Sequence, residues 1–236
     1  MIDYTNVFQR NMFRMISRHS VLYTEIVTAN AILHANKVDN LLRVDMANED
    51  PVVLQLGGND PMKMGQAARL ASRQYGYKQI NVNVGCPSDR VSGDGCFGAK
   101  LMLSPMLVAD IAKEINNQTS DVTSVPVTVN CRIGVYDDST YEDLLNFIRI
   151  ISENGGVTHF IVHARKAILN AKFTPEDNRK IPPLRYDVVY NLIKEFPNLT
   201  FTINGGIETM DQAKEHLQLG ILHYYIYNVS FSQFFT

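Results

Sequence analysis

Two periods alternate along this chain. A third of the way in, Ile80, Val82 and Val84 interleave with Asn81 and Asn83, the two-residue repeat of a strand, and Gly85 ends the pattern just before Cys86-Pro87. Further β-rich runs cover residues 21–27, 52–56, 127–131, 159–163 and 200–204, several of them bounded by Pro51, Gly57-Gly58, Pro126 or Gly205-Gly206. Between them the apolar spacing lengthens to that of a helix. Asp60-Pro61 reads as the N-cap and first position of a helix to about residue 75, and residues 105–117 predict another. Ser139, with Glu142 three positions on, predicts a capping box for a helix to about residue 154. Residues 186–196 and 209–219 read as two more helices, and Val7, Phe8, Phe13, Met15 and Ile16 mark a helix over 6–17 that opens the chain.

These are six strand-helix units, and repeated alternation of that kind predicts a parallel sheet. The fold class expected is α/β of the (β/α)8 TIM-barrel type; an open doubly wound sheet is the competitor. The barrel is favoured by where the chemistry falls. Gln55, Cys86, Arg132, His163 and Asn204 all sit at or just past the C-terminal ends of strands, the face on which barrel enzymes build their sites. Six units leave the barrel short of eight strands.

Composition sets the scale. With 236 residues, 45% of them hydrophobic and 19% charged, the chain can bury a core of barrel size. No apolar run approaches the roughly 18 to 20 residues that span a bilayer, and the first twenty residues hold Asp3, Arg10, Arg14 and Arg18, so a soluble protein without a secretory signal is expected. Cys86, Cys96 and Cys131 fit neither a C-x-x-C nor a zinc spacing, which predicts free thiols in a reducing compartment and no metal. Cys86 opens a loop with glycines at 93, 95 and 98, and reads equally as a reactive thiol or as a cysteine in a glycine-rich turn. A net charge of −2 gives no global pull on nucleic acid, so RNA binding needs a local patch. One exists. Arg165, Lys166, Lys172, Arg179, Lys180 and Arg185 fall within 21 positions that hold only Glu176 and Asp177 as acids; on composition alone a solvated loop accounts for them as well.

Taken in order, the runs L-Q-L-G-G (54–58), N-V-G-C-P-S-D-R-V (83–91), R-I-G (132–134), H-A-R-K-A (163–167) and I-N-G-G-I (203–207) resemble the tRNA-dihydrouridine synthases, in particular their A-type branch. The resemblance extends over residues 1–219. It implies an FMN-binding barrel that reduces uridines of tRNA to dihydrouridine with NADPH, or NADH, as electron source, in the cytoplasm or an organelle. It also implies roles. Cys86 is the proton donor, a thiol being a suitable general acid for that step. Asn83 holds the target base or its ribose, Gln55 and His163 contact the flavin, and Asn204-Gly205-Gly206 receive its phosphate ahead of a helix. Arg165 and Arg179 are the expected tRNA contacts.

Departures from the family pattern carry expectations of their own. The chain starts where the family's first strand ends, so that strand is expected to be missing. Residues 220–236 read as an atypical tail, with Tyr224-Tyr225 where the family has its phosphate-binding Gly-Arg and no helical tRNA-binding domain beyond. Residues 221–229 are β-prone and expected to pair in the eighth position. Asn130 stands where the family has a lysine that would stabilise reduced flavin. These departures predict weak FMN binding and an open seam in the barrel. A non-catalytic paralogue with residual RNA binding, or a flavin barrel acting on a free pyrimidine, are the alternatives.

Overall fold

The computed structural model describes residues 5–87, 97–122, 125–169, 173–221 and 223–225. Among the described residues seven strands make one sheet: β1 Leu22–Thr28, β2 Val52–Gly57, β3 Ile80–Val84, β4 Val127–Arg132, β5 His159–His163, β6 Thr200–Asn204 and β7 His223–Tyr225. Every neighbouring pair is parallel and the spatial order is the sequence order. Among the described residues no pairing joins β1 to β7, so the barrel is incomplete. Every residue of β2 and β3 is buried, as parallel strands with both faces covered require.

The helices follow from the same local rules. Asn6 caps α1, Val7–Ile16, by accepting from the Gln9 N–H, and Asp60 caps α5, Pro61–Tyr75, by accepting from the Lys63 N–H. Between β1 and β2 lie α2 Ala29–His34, α3 Asp39–Leu42 and α4 Met46–Glu49, each too short to leave a period in the sequence. A 3-10 turn, Gly98–Leu103, precedes α6, Pro105–Thr119, and α7 is Tyr141–Gly155. Two further helices, α8 Asp177–Lys180 and α9 Tyr186–Glu195, lie between β5 and β6, and α10, Met210–Gln218, follows β6. The neighbouring helices α5, α6 and α7 pack against one another in turn around the sheet.

One sequence expectation shifts on this frame. The capping box of α7 is built by Thr140 and Asp143, one position beyond the expected pair: Thr140 Oγ1 accepts from the Asp143 N–H and the Asp143 carboxylate accepts from the Thr140 N–H. Ser139 is taken by the preceding turn, where its Oγ accepts from the Val135 N–H at 2.9 Å. Among the described residues the β-prone tail pairs beside β6 through His223–Tyr225, with Thr202 opposite His223 and Asn204 opposite Tyr225; residues 226–229 of the expected strand lie outside the described residues. Among the described residues no helix is long and apolar enough to cross a membrane.

Away from the strand ends, a buried ion pair fastens α1. Arg10 and Glu49 are 4% and 0% exposed, and Arg10 Nε donates to Glu49 Oε2 at 2.5 Å. The other guanidinium nitrogens donate to the carbonyls of Thr5 and Arg43, while Glu49 Oε1 accepts from the Asp45 N–H. Each charge is thus hydrogen-bonded as well as paired, the condition under which a buried ion pair is tolerated.

Candidate active site

Because all seven strands run the same way, their C-terminal ends form one rim. Gln55 on β2 and Asn83 on β3 are both buried there, and Asn83 Nδ2 donates to Gln55 Oε1 at 3.0 Å. Asn83 Oδ1 in turn accepts from the Cys86 N–H at 3.0 Å. One amide therefore joins the three residues Gln55, Asn83 and Cys86. The two-residue repeat had put Asn83 on the strand but gave no sign of its bond to the Cys86 N–H, three residues on.

Of the three cysteines, Cys96 lies outside the described residues, as do residues 88–95 of the loop and Lys172 of the basic run. The other two thiols are in contrasting surroundings. Cys131 is fully buried on β4 and burial pushes its pKa up to about 12, which makes it inert. Cys86 is half-buried at the rim. The loop's far end returns to the same place: Ala99 N–H donates to the Cys86 carbonyl at 2.8 Å, and a Cβ on Gly57 would stand 2.4 Å from the ring of Phe97. Phe97 thus lies against the end of β2, and no spacing in the sequence signals that contact.

On the other side of the rim, His163 and Asn204 end β5 and β6 and face each other in register. His163 Nδ1 and Asn204 Oδ1 are buried with no hydrogen-bond partner among the described residues. Burial, and then the nearby cations Arg132, Arg165 and Arg179, hold the His163 pKa well below its ordinary value, so the ring is neutral at neutral pH. Gly205 and Gly206 follow with φ of +106° and +69°. A Cβ at Gly205 would sit 3.0 Å from His163 Cε1, and one at Gly206 would sit 2.5 Å from Leu184 Cδ1, so both strain and space demand glycine. Tyr186 Oη fixes the turn by donating to the Gly205 carbonyl at 2.6 Å. Asn130 is half-buried opposite Asn83, and a Cβ on Gly85 would lie 3.3 Å from its Oδ1.

The basic run separates into two kinds of residue. Arg165 is half-buried and turned inward, donating from Nη1 to the carbonyls of Lys180 and Pro182, so it clamps its own loop. Arg179 is exposed on α8. The loop's shape depends on Asn178, which is fully buried: its Oδ1 accepts from the Ile168 N–H and its Nδ2 donates to the Ile168 and Thr174 carbonyls. Nothing in the composition of this run distinguishes Asn178 from a surface polar residue. A cavity of about 300 Å³ opens beside the rim, lined by Ile133, Tyr141, Lys166, Pro182 and Arg185 among others; Gln55, Asn83, Cys86 and His163 take no part in it. Among the described residues no group of three or more His, Cys, Asp or Glu side chains could hold a metal ion.

Comparison with known proteins bears on this constellation. Over 218 residues, 92% of its length, the chain is 50% identical to the tRNA-dihydrouridine(20/20a) synthase of Escherichia coli O6:H1 and 50% identical to that of Shigella flexneri. It spans 63% and 61% of those two proteins. A solved complex of 2-naphthoyl-CoA reductase with 2-naphthoyl-CoA shares the fold, with a TM-score of 0.51 at 13% identity, over 70% of this chain and 26% of that one. The family described as dihydrouridine synthase (Dus) matches residues 1–222, a span that takes in the amide-linked trio, the His163–Asn204 pair and all but the end of the sheet, and the chain belongs to that family.

Proposed function

We propose that this chain is the barrel portion of a tRNA-dihydrouridine synthase, reducing uridines at positions 20 and 20a of tRNA as the name of its relatives states. The observation that carries the reading is the hydrogen-bonded trio at the rim. Asn83 holds the backbone of Cys86 with its carbonyl oxygen while its NH2 is held by Gln55, so the thiol has a fixed origin. That arrangement suits proton delivery, whose efficiency depends on placing the acid against the reacting carbon.

The cofactor expected is FMN, with NADPH or NADH as electron source. The residues present fit it: His163 Nδ1 and Asn204 Oδ1 are a neutral, buried and unpartnered pair, and Gly205-Gly206 form a cradle that a side chain would fill. Gln55, His163, Asn204, Gly205, Gly206 and Asn130 would hold it, Asn130 as a neutral amide that leaves negative charge on the flavin uncompensated. FMN, when bound and reduced, supplies the hydride that adds to C6 of uracil. Cys86 gives its S–H proton to C5 from the opposite face; the S–H bond breaks, a C–H bond forms, and the thiolate recovers a proton from water. Asn83 orients the base or ribose. Arg179, free of a hydrogen bond or ion pair from its side chain among the described residues, meets tRNA phosphates, and Arg165 serves that surface by holding the loop in shape.

The deciding experiment gives the chain FMN, NADPH and unmodified tRNA and counts dihydrouridine by mass spectrometry. Dihydrouridine is expected with the wild type and none with Cys86→Ala, while NADPH still reduces the flavin. Equal product from Cys86→Ala would remove the thiol from the mechanism. The non-catalytic alternative gains support only if the wild type itself forms none.

A further inference from the structure

We propose that Arg132 is a positioning residue that couples the Cys86 loop to the basic loop following β5. It ends β4, is 3% exposed, and spends its guanidinium on backbone carbonyls from two loops. Nε donates to the Gly85 carbonyl at 3.1 Å; Nη1 donates to the Asn178 carbonyl at 3.0 Å and to that of Lys166 at 3.4 Å. Gly85 C=O and Cys86 N–H belong to one peptide unit. Arg132 holds its oxygen and Asn83 holds its N–H, so the plane from which the Cys86 side chain departs is gripped at both ends. Such a grip fixes the plane because peptide units are rigid.

The other end of the guanidinium reaches the residue just before Arg179, and Asn178 spends its own side chain on closing that loop. One planar, permanently charged fork thus sets the spacing between the thiol and the surface that meets RNA, a task for which a lysine has too few donors in fixed geometry. A charge-assisted bond to each carbonyl also makes the link stiffer than neutral pairs would.

The kinetic arm of the test rests on the proposed uridine reduction; the chemical arm does not. In Arg132→Lys, the rate of iodoacetamide alkylation at Cys86, read by peptide mass spectrometry on the full chain, is expected to rise roughly threefold or more as the peptide is freed to open locally. The turnover of tRNA is expected to fall about tenfold with unchanged FMN affinity, the signature of a displaced acid. A folded Arg132→Lys protein with wild-type alkylation overturns the inference. If that variant fails to fold, Asn178→Ala replaces it: the inference expects faster Cys86 alkylation there too, and an unchanged rate overturns it. A wild type that forms no dihydrouridine defeats the functional reading alone, since alkylation still decides the coupling.

Discussion

The corner around Arg10 and Glu49 and the rim around His163 and Asn204 bury comparable polar groups with opposite outcomes. At the corner, Arg10 bonds to Glu49, Thr5 and Arg43, and Glu49 accepts in addition from the Asp45 N–H. At the rim, His163 Nδ1 and Asn204 Oδ1 are equally removed from water yet bond to nothing among the described residues. Leaving such a group unmet costs about 1–3 kcal/mol, a cost a fold sustains where a ligand later supplies the partner. The difference distinguishes polar groups that hold the protein together from polar groups reserved for something else.

Breaking the corner gives the largest effect. Glu49→Ala strands a buried guanidinium and is expected to lower stability by about 3–5 kcal/mol, read as the shift in a urea unfolding curve. A loss below about 1 kcal/mol would mean that α1 is held by packing and not by the pair.

Acid tests the histidines next. His159 sits at the start of β5, with its Nε2 2.7 Å from Thr202 Oγ1 and its ring 5.8 Å from that of His223; burial first, then the His223 charge, lowers its pKa to about 4. The unfolded chain protonates near 6.5, so between pH 6.5 and 4 it binds more protons than the folded chain. Stability is therefore complete above pH 6.5 and falls as pH drops through that window, by on the order of 2 kcal/mol from His159. His163 acts in the same direction. Melting curves at pH 7 and pH 5 check this, and His159→Gln should flatten the difference.

The smallest structural effect sharpens the contrast most. Asn204→Ala removes an unmet oxygen and is expected to leave stability within about 1 kcal/mol of wild type while weakening FMN binding. Urea unfolding measures the first and flavin titration the second. A large loss of stability without a change in flavin affinity would move Asn204 to the structural side.

Much of the fold was legible because its elements have sharp boundaries. Pro61–Tyr75, His159–His163 and Thr200–Asn204 fall where proline, glycine and the apolar period put them. The misplaced capping box shows the limit: two hydroxyl residues stand side by side, and Ser139 is diverted to Val135, which the chain also bridges to the distant Ala167. At the site, Gln55, Asn83, Cys86, His163 and Asn204 were singled out by strand position and family order, and the structure places all five at the rim. Their bonds were not, since Gln55 and Asn83 meet only across neighbouring strands. Arg165 and Arg179 look alike as letters; which one turns inward depends on the carbonyls that residues 180 and 182 bring within reach.

The strand order also bears on how the chain acquires its shape. Because each strand pairs with the one made just before it, synthesis from the N-terminus presents every new strand with a template already in place. The sheet can grow vectorially on the ribosome, one strand and one helix at a time, without waiting for a distant partner to emerge. Under that order the thiol loop closes only once β4 has been made, because Arg132 is the last residue of that strand. The grip on the Cys86 peptide is therefore completed by a later addition to the growing sheet, and a nascent chain stalled before Arg132 would carry Cys86 with its peptide held on one side only.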